Sequence, residues 1–76
     1  MNKKMAEDIT EMFRDAGLKD AIPKPRAGKP RSWAVTFLLK PEKKDAFESV
    51  LENHSDLKLK LEYEPHGISA ERVYLY

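Results

Sequence analysis

The sequence predicts an α+β fold, a two-layer sandwich in the order αβαββ with a three-stranded mixed sheet and two helices on one of its faces. Three observations carry this reading. Two stretches, 3–16 and 41–53, repeat apolar residues at helical spacing, three others, 32–39, 57–64 and 70–76, are short and strand-like, and the last two of these are joined by a tight turn.

In the first helix, Met5, Ile9, Met12, Phe13 and Ala16 form one stripe, with Glu7, Asp8, Glu11 and Arg14 off it. Gly17 ends it, because glycine takes the left-handed conformation after a last helical turn at little steric cost. Residues 18–31 read LKDAIPKPRAGKPR, and the prolines at 23, 25 and 30 withhold backbone donors and keep their predecessors extended. This segment is expected to be a long, basic, proline-rich loop within the domain.

Ser32 to Leu39 is rich in β-branched and aromatic residues, with Trp33, Val35, Phe37 and Leu39 on one face and Ala34, Thr36 and Leu38 on the other. Pro41 suits a first helical position, Glu42 complements the positive end of the helix dipole, and Ala46, Phe47, Val50 and Leu51 follow at helical spacing. Leu57, Leu59, Leu61 and Tyr63 then alternate with Lys58, Lys60, Glu62 and Glu64, the pattern of a half-buried strand. Pro65, His66 and Gly67 turn the chain into a last strand, where Val73 and Leu75 face inward and Arg72, Tyr74 and Tyr76 outward. A right-handed crossover from 32 to 64 makes the first two strands parallel, and the tight turn makes the last two antiparallel. The expected core is Ile9, Phe13, Val35, Phe37, Phe47, Val50, Leu51, Leu59, Leu61, Val73 and Leu75.

A chain of 76 residues reads as a single domain, 1–76, and folding at that size hides only about 60% of the unfolded surface. Without cysteine there is no disulfide and no thiolate metal cage to reinforce so thin a core. The formal net charge of +1 is too balanced for strong electrostatic capture by the whole surface, so any basic site is local. Glu7, Asp8 and Glu11 stand where an export signal carries its apolar run, and the longest apolar stretch, 33–39, is far short of a membrane span. The expected location is the cytoplasm.

Two features point to binding. The segment 18–31 gathers Lys24, Arg26, Lys29 and Arg31 on an extended backbone, an arm able to follow a phosphate chain. On the open sheet face, Tyr74 and Tyr76 stand beside Arg72, with Lys58 and Lys60 across the sheet, a set able to stack unpaired bases, although Glu62 and Glu64 share the face. Tyrosines also suit protein interfaces. Nothing in the sequence has the spacing of a catalytic site, a phosphate-cradling loop or a cofactor site; the best metal pairing, Glu64 with His66, supplies two ligands only.

The expectation is therefore a small non-catalytic binding or regulatory protein that needs no cofactor or metal and works by protein–protein interaction, as an inhibitor or adaptor, in one form of a nucleoprotein machine. The alternative is an RNA- or single-stranded-DNA-binding protein using the basic segment and the tyrosine-bearing face. Neither involves a membrane. The apolar outer positions Ala34, Thr36 and Leu38, together with exposed strand edges, suggest a homodimer.

Overall fold

The structure is a computed structural model describing residues Met1–Tyr76. Helix α1 (Lys3–Asp15) is followed by strands β1 (Ile22–Arg26) and β2 (Lys29–Leu39), a 3-10 turn at Pro41–Lys43 and helix α2 (Lys44–Asn53). A second 3-10 turn, Ser55–Leu57, leads to β3 (Leu61–His66) and β4 (Ala70–Leu75). The α+β class holds, with two helices, but the sheet has four strands, not three, and all its pairings are antiparallel, not mixed. The chain order is αββαββ.

The additional strand comes from the segment expected to be loop, and backbone phase explains why prolines do not prevent it. The Leu38 N–H donates to the Asp20 carboxylate at 2.8 Å, which puts the backbone groups of Leu38, Thr36 and Ala34 on the β1 side of β2. Their register partners on β1, Ile22 and Lys24, make the ladder bonds, while Pro23 and Pro25 turn their nitrogens away from the sheet. A missing donor costs nothing where no acceptor waits, so proline is tolerated on this edge. The turn at Ala27 and Gly28 closes the hairpin, with Gly28 at φ +72°.

The sheet order is β1-β2-β4-β3. β2 and β3 run in the same direction, as the crossover predicts, because each is antiparallel to β4. They do not pair, since β4 lies between them. β3 and β4 form the expected antiparallel hairpin, from Leu61 opposite Leu75 to His66 opposite Ala70. Pro65 and His66, expected in the turn, are instead paired within β3, which starts at Leu61 and not at 57.

The inner face carries Val35, Phe37, Leu39, Val73 and Leu75, and both helices cover it. Phe37 meets Phe13 of α1 at 5.2 Å and Phe47 of α2 at 5.6 Å between ring centroids. Phe13 and Phe47 close the trio at 5.9 Å. Ala6, Ile9, Leu18, Ala21 and Val50 complete the buried set. α1 is capped by Asn2, whose side chain accepts from the Met5 N–H, and it ends at Gly17 with φ +104°. Arg14 Nε donates to the Ala21 carbonyl at 2.8 Å, tying the helix to the chain entering β1.

Leu51, Leu59 and Leu61, expected in the core, are half-buried and pack at its margin. Leu59 precedes β3, whose start is delayed by a left-handed Lys58 at φ 51°, and β3 itself is an edge strand with one neighbour. No helix is long and apolar enough to cross a membrane.

Candidate functional site

On the outer face, register places side chains in rows across the strands. Lys24 lies opposite Ala34, and Ala34 is one step along from the Val35–Leu75 pair, hence beside Tyr76; Tyr76 in turn exchanges backbone bonds with Lys60 at 2.9 and 3.1 Å. The next row runs Ile22, Thr36, Tyr74, Glu62, and the third Leu38, Arg72, Glu64. The two features that the sequence keeps 43 or more positions apart, the basic segment and the C-terminal tyrosines, thus become neighbours. They line one open cleft of 360 Å³ formed by Lys24, Pro25, Arg26, Ala27, Lys29, Ala34, Tyr74 and Tyr76.

The aromatic rings are ordered by this arrangement. Tyr74 and Tyr76, two positions apart on one strand face, stack with centroids 6.3 Å apart and planes 10° from parallel. The Arg26 guanidinium lies over the Tyr76 ring, 4.1 Å from its centroid, a cation–π contact that holds the cation at the cleft. Partial burial, reinforced by the Glu62 carboxylate and opposed by Arg26, raises the Tyr76 phenol above its ordinary value, so it is neutral at physiological pH. A neutral ring with cations beside it is an arrangement able to stack on the face of an unpaired base.

The remaining candidates separate from this group. Arg31 is exposed on β2 between the Pro25–Trp33 and Arg26–Lys29 pairings and does not line the cleft. Lys58 lies in the left-handed turn before β3, outside the strand. Lys60 and Arg72 stand on the outer face around Tyr76 and Tyr74, outside the cleft lining.

Ala34 and Thr36 are 3% and 4% exposed within the single chain, covered by their longer neighbours on β1 and β4, and Leu38 is half-buried. Their apolar character is thereby accommodated without a second copy. The Thr36 hydroxyl is buried there with no hydrogen-bond partner.

Sequence reasoning missed Pro25 and Ala27 as cleft walls, and Ala34 as its floor. The signal available was the alternation of Pro23 and Pro25 with Lys24 and Arg26, which puts the cations on one face once the segment is extended.

A larger open groove of 530 Å³ is lined by Gly17, Leu18, Lys19, Asp20, Leu38, Lys40 and Lys43. It offers cations without an aromatic surface, and Asp20 is committed to the Leu38 N–H. No three His, Asp or Glu side chains gather at one place.

Comparison with protein-family profiles, curated proteins and solved structures finds no match to this chain.

Proposed function

We propose that this chain is a non-catalytic binding protein whose ligand is single-stranded nucleic acid, taken up in the Lys24–Arg26–Lys29–Tyr74–Tyr76 cleft. The observation that supports it is the Arg26 guanidinium poised over Tyr76 at the end of a parallel tyrosine pair. A base entering the cleft lies against the tyrosines, and Arg26 lifts to press on its free face, keeping a planar cation in contact throughout. Lys24 and Lys29 meet the flanking phosphates. The cleft walls hold neither carboxylate nor imidazole, which suits retention of a ligand more than its chemical conversion.

The contribution of each part can be separated. Two lysines neutralising two phosphates give a salt slope of about −1.4 on a single strand, at about −0.7 per phosphate. Stacking adds about 1–3 kcal/mol per base, or roughly 5- to 150-fold in affinity. Titration of labelled short oligonucleotides at two salt concentrations is the test. Tyr76→Ala should lower affinity while preserving the slope, and alanine at 24, 26 and 29 together should flatten it. No binding by the wild type even at low salt would dismiss the reading.

A second reading, regulation through a protein partner, has its own support in the exposed Ile68 at the β3–β4 turn and Tyr63 on the neighbouring strand edge. It predicts a complex that survives nuclease treatment and is lost on Ile68→Asp.

A further inference from the structure

The two edges of the sheet differ in what they offer another strand. On β1 the outward backbone positions are Pro23 and Pro25, which have no N–H to give. On β3, Lys60 exchanges both bonds with Tyr76, so Lys60, Glu62 and Glu64 turn their backbones toward β4. Leu61 and Tyr63 therefore direct both N–H and C=O away from the sheet, and only Pro65, further along, lacks its donor. The side chains on the same residues leave apolar surface uncovered: Leu59 and Leu61 are half-buried, and Tyr63 is 48% exposed.

We propose that this edge pairs with the same edge of a second copy, antiparallel about a two-fold axis through Leu61. Charge selects both the occupant and the register. Only residues whose backbones face outward can exchange bonds across the junction, so the pairing can slip only in steps that keep Leu61 and Tyr63 matched to outward-facing residues. A junction centred on Lys60 sets Lys60 against Lys60. Centred on Glu62 it sets Glu62 against Glu62, and centred on Tyr63 it sets Glu62 against Glu64 and spends two bonds on the missing Pro65 donor. Centred on Leu61, Lys60 faces Glu62 in both symmetry-related positions, Leu61 meets Leu61, and Leu59 meets Tyr63. That register alone pairs opposite charges on the outer face with no like-charged pair among Lys60, Glu62 and Glu64, while joining the apolar residues on the inner one.

The two-fold axis of an antiparallel strand pair stands perpendicular to the sheet, so the dimer keeps all helices on one side and both tyrosine clefts on the other. Lys60 of the second copy also neutralises Glu62, the acid that adjoins Tyr74 and Tyr76. The junction does not depend on the ligand proposed for the cleft.

Sedimentation equilibrium of the wild type, Lys60→Glu, Glu62→Lys and an equimolar mixture of the two variants tests the proposal, with circular dichroism as the check on folding. The wild type should dimerise, and each variant alone should associate about tenfold or more weakly, because both symmetry-related pairs become like-charged. The mixture should recover the dimer, since one copy then presents Glu at both positions and the other Lys. A monomeric wild type up to near-millimolar concentration, variants that dimerise unchanged, or a mixture that fails to recover association would each overturn the pairing.

Discussion

The placement of proline on β1 can be tested by moving it one position. In Lys24→Pro, a residue whose N–H faces β2 loses its donor, and the carbonyl of Ala34, in a residue 3% exposed, loses its partner. The lost bond is worth about 1 kcal/mol net, and the orphaned buried carbonyl adds about 1–3 kcal/mol, giving roughly 2–4 kcal/mol in all. For a domain of this size each kcal/mol moves Tm by about 4–8 °C, so a fall of roughly 8–32 °C is expected. Pro25→Ala is the control, because it restores an N–H that points to solvent. Its effect should stay within about 1 kcal/mol, arising from greater freedom in the unfolded chain. Thermal unfolding followed by far-ultraviolet circular dichroism and by the fluorescence of Trp33, which pairs with Pro25, reads both variants. Equal damage from the two substitutions, or a harmless Lys24→Pro, would refute the backbone phase assigned to this edge.

Phe37→Ala removes the ring that meets both Phe13 and Phe47 and should cost about 3–5 kcal/mol, close to the whole stability of a small domain, whereas Leu59→Ala, at the core margin, should cost about 1–2 kcal/mol; urea unfolding ranks them. Thr36→Val replaces a buried hydroxyl that has no partner by a methyl group and should raise stability by about 1 kcal/mol, while a loss of similar size would mean that the hydroxyl is satisfied in solution. The Tyr63 and Tyr76 phenols are raised above the ordinary value of 10.0, chiefly by burial, so the unfolded chain releases these protons first. The stability they contribute is whole below pH 10.0 and is lost as pH rises through the higher folded values, which melting curves alongside a tyrosinate absorbance titration should register.

The elements legible in the sequence are those whose periodicity reports burial on one side. Ile9 and Phe13 mark α1, Phe47 and Val50 mark α2, and Val73 and Leu75 mark β4, because each pair repeats at the spacing of its element and faces the same core. β1 escapes this logic. Its inward-phase residues are Pro23 and Pro25, which carry the signature of a loop, and what makes them acceptable is that this strand has a neighbour on one side only. Edge position is decided by the whole sheet, so no local pattern contains it. The alternation of Leu57, Leu59, Leu61 and Tyr63 likewise promises a strand from 57, yet the left-handed backbone at Lys58 interrupts it without leaving a mark in hydropathy.

The candidate site was legible as parts but not as a whole, for a related reason. Lys24, Arg26 and Lys29 declare themselves by charge, and Tyr74 and Tyr76 by alternation, but what joins them is the strand between. β2 separates β1 from β4, and side chains on the flanking strands meet over it only because Ala34 is small. A leucine there would fill the space between Lys24 and Tyr76; alanine leaves a floor, and the reach of arginine lets Arg26 cross to the Tyr76 ring at 4.1 Å. The same short side chain that made the outer face of β2 look like an uncovered apolar patch is what makes room for a cleft. Reading Ala34 as apolar surface to be hidden, or as a gap to be occupied, depends on knowing that a basic strand lies on one side of it and an aromatic strand on the other. Antiparallel pairing of β2 with β1 and with β4 supplies that knowledge, and it turns two weak signals into one arrangement of charge and ring.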